Sequence, residues 1–275
     1  MNKAENIDGA HIVKNGAHKG KNLKKEAIYS LLLFIVLVTL WEILSRIGIF
    51  HPLILPAPSK IIFAFFEVLS ADYFLANFSV TLYETLAGFF IGCAIAIILG
   101  IIVSSNDLLY RILNPYIVVF QAVPKIALAP IFTTWFGFGP TAKIVMAITI
   151  CFFPTFVNTV VGLKSVDEDS RLLFQSLNAK KKDIFMKLSL PTALPYIIAG
   201  LKSSLTFALI GAIVGEFMGA NEGIGLLIDT FNFQLEMPRV YALIIILSIL
   251  GLLLYLLIEW IDRRVVFWRN RENEL

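Results

Sequence analysis

Residues that could carry out chemistry are few in this sequence and lie far apart. The two cysteines, Cys93 and Cys151, are both inside apolar runs, where packing is a commoner role than a disulfide or a metal pair. The three histidines lie in the polar N-terminal stretch or just after the first apolar run: His11, His18 and His51. The sequence contains no G-x-x-x-x-G-K-[ST] motif and so has no P-loop for ATP. We therefore expect no catalytic residue, no metal site and no cofactor.

Three charged residues inside apolar stretches are the better candidates for a function. Lys125 is flanked by Pro124 and Pro130, and each proline removes a backbone hydrogen-bond donor. In a membrane the freed backbone groups must face protein or a watery cavity, so we expect this segment to line a path, although Lys125 itself could instead extend to the interface. Glu216 is either interfacial or faces a substrate vestibule. Lys202 lies near the start of its apolar run, so we expect it to extend to the headgroups.

The elements that position these residues are predicted to be membrane-spanning helices. Hydrophobic residues make up 58% of the 275 and charged residues only 16%, a balance unlike that of soluble domains. Long apolar runs without alternation exclude a transmembrane β-barrel. We predict an all-α polytopic membrane protein. Charges bracket the runs and predict six transmembrane helices, at about 27–47, 78–106, 112–138, 141–163, 195–219 and 240–262.

The distribution of lysine and arginine predicts the orientation. Most of these residues lie in the N-terminal segment 1–26, in the loop 164–194 and at the end of the chain, including the tail 269–275. By the positive-inside rule, both termini and the loop are cytoplasmic, and a transmembrane domain occupies 27–268. A cleaved signal peptide is the alternative for the first run, but no small-x-small site follows it.

The connection after the first span predicts a turn and a short helix. Three prolines between His51 and Lys60 stop the helix, and Ser59 can cap a helix over 60–70 with one apolar face. We expect this helix to lie in the outer interface, the alternative being a short re-entrant segment.

Small residues recur at nearly every fourth position in two spans, which allows close helix packing in lipid. Packing within the chain and contact between two copies both fit this pattern. The residues are Gly88, Gly92, Ala96 and Gly100 in the second span, and Gly200, Ser204, Ala208, Gly211, Gly215 and Gly219 in the fifth.

The loop 164–194 is the longest hydrophilic stretch between spans. A first helix with Asp169 or Ser170 as its N-cap ends before Asn178, which suits a left-handed turn. A second helix follows, and Pro191 and Pro195 then break the chain. Exposed apolar side chains on the two helices would fit a socket on a partner protein, the alternative being a loop resting on the membrane. These side chains are Leu172, Leu173, Phe174 and Phe185.

This loop resembles the cytoplasmic signature E-A-A-x3-G-x9-I-x-L-P of the inner-membrane permease subunits of binding-protein-dependent ABC importers. With the L-P end placed on Leu190 and Pro191, the motif's Gly falls on Asn178 and its Ile on Leu188. The E-A-A positions hold Leu172, Leu173 and Phe174, so the motif's glutamate is missing.

Other segments are similar to the nitrate, sulfonate and taurine branch of the same family: 55–59, 135–139, 190–197 and 223–225. The segment 210–217 looks closer to members linked to thiamine-precursor pyrimidines or riboflavin. The resemblance extends over roughly residues 27–268.

The resemblance implies a MetI-like permease fold in a bacterial inner membrane and a homodimeric or paired membrane domain that moves a small solute. It also implies cytoplasmic ATPase subunits docked on the loop and an extracytoplasmic solute-binding protein, and no nucleic-acid partner. The predicted coupling residues are Leu172, Leu173, Phe174, Asn178, Ala179, Phe185, Leu190 and Pro191. The predicted path residues are Pro124, Lys125, Pro130 and Glu216. An ATP-independent secondary transporter and a membrane-embedded enzyme are the rival hypotheses, but the sequence lacks the clustered intramembrane acids or histidines that either would use.

Overall fold

The computed structural model describes residues 8–266, with the side chains of 8–25 and of 27 outside that description, as is the predicted tail 269–275. Helices occupy most of this range, and it contains no β-strand, which confirms the all-α prediction. The α-helices are α1 (Asp8–Arg46), α2 (Pro58–Leu69), α3 (Asp72–Ser104), α4 (Asp107–Ala122), α5 (Ala129–Phe136), α6 (Pro140–Lys164), α7 (Glu168–Ser176), α8 (Lys181–Ile184), α9 (Leu190–Phe217), α10 (Ile224–Phe233) and α11 (Met237–Val265).

Five helical segments are long and apolar enough to cross a membrane, and a bent pair provides a sixth if it forms one span. The pair is Asp107–Ala122 and Lys125–Phe136, whose axes differ in direction by 79°. The third predicted span therefore corresponds to two helices separated by a sharp bend. At the start of the chain, the basic lead is helical from Asp8 onward and continues into the first span, because it contains no proline to stop the helix.

The chain divides into two compact units, Met1–Ala64 and Phe65–Leu275. In the first unit, Ser59 is not the helix cap that its position predicted. α2 begins one residue earlier, at Pro58, and the Ser59 hydroxyl donates a 2.7 Å hydrogen bond to the carboxylate of Glu42. The backbone N–H of Ser59 donates to the other carboxylate oxygen of Glu42 at 3.0 Å. Ser59 thus anchors the start of α2 to the end of α1.

Small residues pack the centre of the second unit, where α3 and α9 both lie against α6. A Cβ atom added to Gly92 of α3 would lie 2.6 Å from Sγ of Cys151, and one added to Gly211 of α9 would lie 2.6 Å from Cα of Ala147. Within the same packing, the hydroxyl of Ser204 donates to the carbonyl of Cys151 at 2.6 Å. The small-residue stripes therefore serve packing within the chain, the first of the two expected roles.

The helix that enters the fifth span is longer than the prolines predicted. α8, a π-helical turn at Phe185–Ser189 and α9 follow one another without a break, and the continuous helical segment runs from Lys181 to Phe217. Pro191 directly follows the π-helical turn and has no N–H, so it makes no backbone hydrogen bond to the turn before it. The π turn shifts the hydrogen-bond register just before it. The predicted break at Pro191 and Pro195 was therefore wrong.

Candidate functional site

The break in the third span lies at the residues that the sequence singled out. α4 ends at Ala122, and Pro124 then adopts a non-helical conformation with ψ of 87°. A short 3-10 helix, Lys125–Leu128, follows, and Pro130 lies in the first turn of α5. Pro124 interrupts the helix because it has no N–H, whereas Pro130 is tolerated at a helix start. The two prolines thus confine the irregular backbone to a few residues around Lys125.

Lys125 lies at the edge of a cavity of about 320 Å3 beside the middle of α6. Its Nζ donates to the carbonyl of Gln121 at 3.0 Å and lies 4.5 Å from the ring centroid of Phe153. Asn158 and Phe207 also line the cavity. The site therefore offers a cation, amide groups and aromatic faces. It holds no nucleophile paired with a base, so it is suited to binding a solute and not to transforming one.

Glu216 is not among the residues that line this cavity. It is only 1% exposed, so the interfacial alternative does not fit. Its carboxylate accepts hydrogen bonds from the hydroxyl of Thr81 at 2.6 Å and from the backbone N–H of Gly225 at 2.5 Å. The hydroxyl of Thr81 in turn accepts from the N–H of Ile224 at 2.8 Å, and Asn77 accepts from the N–H of Gly223 at 2.7 Å. These bonds fasten the start of α10 to α3 and α9.

Two further charged side chains, which were not among the predicted site residues, complete this buried cluster. The Nζ of Lys143 donates to the carbonyls of Phe138 at 2.5 Å and Gly219 at 2.7 Å, and the residue is 1% exposed. Glu84 lies within hydrogen-bonding reach of Glu216 and within electrostatic range of Lys143. Its Oε2 atom is buried without a partner in the described part of the chain. The cluster thus joins α3, α6, α9 and α10 through charged and polar groups.

A sequence signal for the cluster exists on α3. Asn77, Thr81 and Glu84 are spaced four and three residues apart, and Gly88 follows four later, so all four share one helix face. Gly88 faces Ala147 of α6, so polar residues on the same face must also point into the protein. Lys143 gave no such signal, because its place at the start of an apolar run is typical of an interfacial charge.

The loop between α6 and α8 has the turn that the sequence predicted, with a different cap. Asp167, and not Asp169 or Ser170, is the N-cap of α7, and its carboxylate accepts from the N–H of Ser170 at 3.1 Å. Asn178 has φ of 56°, which confirms the left-handed turn.

Leu172, Leu173 and Leu177 project from the end of this loop and are 52%, 58% and 72% exposed. Phe174 and Phe185 are half-buried, in contrast to the exposure predicted for them.

Lys202 does not extend freely to the headgroups as predicted. It forms ion pairs with Glu259 and, at 2.7 Å, with Asp262, which is 2% exposed. The side chain therefore ties α9 to α11. Elsewhere in the described residues, both cysteines are free and buried, and no group of three or more His, Cys, Asp or Glu side chains is placed to hold a metal ion.

Comparison with known proteins identifies the family. Residues 88–267 match the family model of the binding-protein-dependent transport system inner membrane component. The chain belongs to this family. It is therefore a multi-pass inner-membrane permease, a transport component of ABC importers.

Two relatives illustrate the branch to which the permease is similar. It is 38% identical over 251 residues to a formylaminopyrimidine transport permease protein of Halalkalibacterium halodurans, covering 90% of this chain and 98% of the relative. It is 26% identical over 253 residues to a taurine transport system permease protein of Escherichia coli, covering 90% and 92%. Both resemblances drawn from the sequence are thereby confirmed at the level of the branch.

A solved structure of the methionine ABC transporter MetNI in an inward-facing conformation has the same fold. The match has a TM-score of 0.57 at 21% identity, and covers 67% of this chain and 94% of that one. The predicted MetI-like fold is therefore confirmed.

Proposed function

We propose that this permease moves a small solute along a path past Lys125, driven by ATPase subunits that dock on the loop 164–194. The proposal includes pairing of two copies of the chain, delivery of solute by an extracytoplasmic binding protein, and a cytoplasmic location for both termini and the loop. The observation that carries it is the cavity of about 320 Å3 at the broken third span.

The contents of the cavity support a path. A break of 79° in a span exposes backbone groups that lipid cannot satisfy, so such backbone is found where it lines a cavity. The Lys125 ammonium and the Asn158 amide supply polar contacts beside this break, and Phe153 and Phe207 supply flat apolar surface. We place Pro124, Lys125 and Pro130 along the path. We place Glu216 at the end of the path near α10, where a solute would reach its buried carboxylate once the contacts to Thr81 and Gly225 open.

The same contacts define a solute class. An ammonium can donate to an acceptor oxygen, and an aromatic face can pack against a ring or a short carbon chain. A formyl oxygen on an aminopyrimidine and a sulfonate oxygen both meet the first requirement, and the two relatives are named for solutes of these kinds. We propose a small solute with at least one acceptor oxygen.

The loop supports the docking of an ATPase. Leu172, Leu173 and Leu177 form an apolar patch on a helix that stands away from the core, and the turn at Asn178 returns the chain toward the span. Such a patch is costly to leave in water and typical of a protein contact. We assign Leu172, Leu173, Phe174, Asn178, Ala179, Phe185, Leu190 and Pro191 to coupling.

The test is ATP-dependent uptake by the complete transporter in proteoliposomes, with its own binding protein and ATPase. Lys125→Met keeps the length of the side chain but removes the charge, and we expect it to lower uptake at least about tenfold while the ATPase still co-purifies. Lys60→Met, at an exposed position of α2, is the matched control and should keep wild-type uptake. Wild-type uptake by Lys125→Met would contradict the path. Uptake that persists without any ATPase would favour a secondary transporter.

A further inference from the structure

A second polar cavity lies at the end of the bundle that carries the loop. It has a volume of about 340 Å3 and lies between the last residues of α3 and α6, the helix α7 and the start of α8. Polar side chains make up much of its lining, namely Ser104, Ser105, Arg171, Gln175, Lys181 and Ser189. Neither the path nor the exposed leucine patch of the loop uses this cavity.

The charged side chains that line the cavity are all positive. Arg171 and Lys181 contribute two positive charges, and none of the described residues that line the cavity carries a carboxylate. Neither cation forms an ion pair with another described residue, although Arg171 lies within electrostatic range of Asp107. Asp107 is already paired with Lys164 at 2.8 Å. The two cations therefore lack a compensating anion inside the cavity.

Neutral hydrogen-bond donors line the cavity beside the two cations. Gln175 follows Arg171 by one helical turn, so both side chains lie on the same face of α7. The hydroxyl of Ser104 is buried and has no hydrogen-bond partner among the described residues, and an orphaned buried hydroxyl is costly unless a ligand or water meets it. Arginine, lysine, amide and hydroxyl groups together are the donors that bind tetrahedral oxyanions.

The carboxyl ends of two neighbouring helices carry partial negative charges that repel an anion. Their summed charge is smaller than that of Arg171 and Lys181. α3 and α6 point their carboxyl ends toward the cavity, and each end carries about half a negative charge. Two full positive charges exceed this sum, so the cavity remains net positive.

We propose that this cavity binds a phosphate group, either as a free phosphate or as the headgroup of an anionic phospholipid. The bound phosphate joins Arg171 on α7 to Lys181 at the start of the helix that continues into α9, and so holds the loop in one position against the bundle. That mechanical consequence rests on the proposed coupling role of the loop, whereas the binding itself does not.

The experiment measures binding to the purified full-length permease without ATPase or ATP. Titration with radiolabelled orthophosphate in neutral detergent tests the free anion. Native mass spectrometry of protein released from nanodiscs of phosphatidylcholine with phosphatidylglycerol tests the headgroup. The cavity variant is Arg171→Gln with Lys181→Gln. The control variant, Lys180→Gln with Lys182→Gln, removes the same charge from two exposed neighbours that do not line the cavity.

We expect the cavity variant to bind its ligand at least about tenfold more weakly than wild type, and the control variant to bind within about twofold. Loss of orthophosphate binding identifies a free phosphate, and loss of retained phosphatidylglycerol alone identifies the lipid. An equal loss of affinity in the cavity and control variants would overturn the proposal. So would a cavity variant that binds both ligands as tightly as the wild-type protein does. Binding of neither ligand by wild type would also overturn it.

These outcomes are separate from those of the uptake test. Phosphate binding that disappears in the cavity variant stands even if Lys125→Met transports normally. Conversely, import that depends on Lys125 stands even if the cavity binds no phosphate.

Discussion

Thr81 and Glu216, 135 positions apart in the sequence, are joined by a 2.6 Å hydrogen bond in which the threonine hydroxyl donates to the carboxylate. The same hydroxyl accepts from the backbone N–H of Ile224. One buried side chain on α3 therefore fixes both the acid at the end of α9 and the first residue of α10. The end of the bundle opposite the loop depends on this contact for its shape.

Replacement of Thr81 tests this dependence. Thr81→Val keeps the shape of the side chain but removes the partner of the Ile224 N–H and of Oε1 of Glu216, whose other oxygen still accepts from Gly225, and we expect a loss of about 2 kcal/mol in the free energy of unfolding. The measurement is SDS titration of the purified protein in mixed micelles. Thr81→Ser keeps the hydroxyl and is the control. Equal stability of the two variants would show that the hydrogen bonds contribute nothing.

The Lys202 cluster predicts a contrast between a buried and an exposed ion pair. Lys202→Met leaves the buried Asp262 without its cation, for which we expect a loss of roughly 3 kcal/mol. Lys164→Met breaks a pair whose acid, Asp107, is 75% exposed, and should cost at most about 1 kcal/mol. The same SDS titration compares them. A larger loss in Lys164→Met than in Lys202→Met would contradict this assignment.

Helix packing predicts that replacement by alanine has different effects on stability at two glycines within spans. A Cβ atom on Gly211 would lie 2.6 Å from the backbone Cα of Ala147, which cannot move without displacing α6, so we expect Gly211→Ala to cost about 1–3 kcal/mol. At Gly251 the nearest atom is a terminal carbon of Leu209 at 3.4 Å, and Gly251→Ala should be neutral or slightly stabilising. Folded yield on size exclusion and unfolding by SDS provide the readout. Tolerance of both changes would argue against close packing of α6 and α9.

The proposed orientation predicts which exposed residues react from each side of the membrane. Leu177 in the loop is 72% exposed and Phe233 at the end of α10 is 80% exposed, so cysteine at either position is accessible to a maleimide. In right-side-out vesicles, we expect a membrane-impermeant maleimide to label Phe233→Cys and not Leu177→Cys, and the reverse in inverted vesicles. The native cysteines are buried and serve as the unlabelled background. Labelling in the opposite pattern would invert the assigned topology.

Local patterns in the sequence were sufficient for the spans and for the turn at Asn178, because apolar length and left-handed residue preference act within a few positions. The place of Lys125 at a break between helices could also be predicted, since two prolines next to an intramembrane cation leave few structural solutions.

The polar cluster could not be assembled from sequence, because Glu84, Lys143 and Glu216 come from three helices and their contacts depend on the packing around Gly88, Gly211 and Gly215. The prediction of a helix break at Pro191 was wrong for a related reason. A π turn upstream accommodated the proline, and proline spacing alone does not reveal such a turn.

The unbroken segment from Lys181 to Phe217 gives the permease a lever. Its 37 residues span roughly 55 Å at the α-helical rise of 1.5 Å per residue. One end lies in the loop and the other carries Glu216, so a tilt of about 5° at the loop displaces the far end by roughly 5 Å, as the same helical length dictates. Such a displacement exceeds the length of every hydrogen bond that Glu216 makes to Thr81 and Gly225. In the proposed function, in which ATPase subunits dock on the loop, a small tilt at the loop is therefore enough to unfasten α10 at the other end of the bundle.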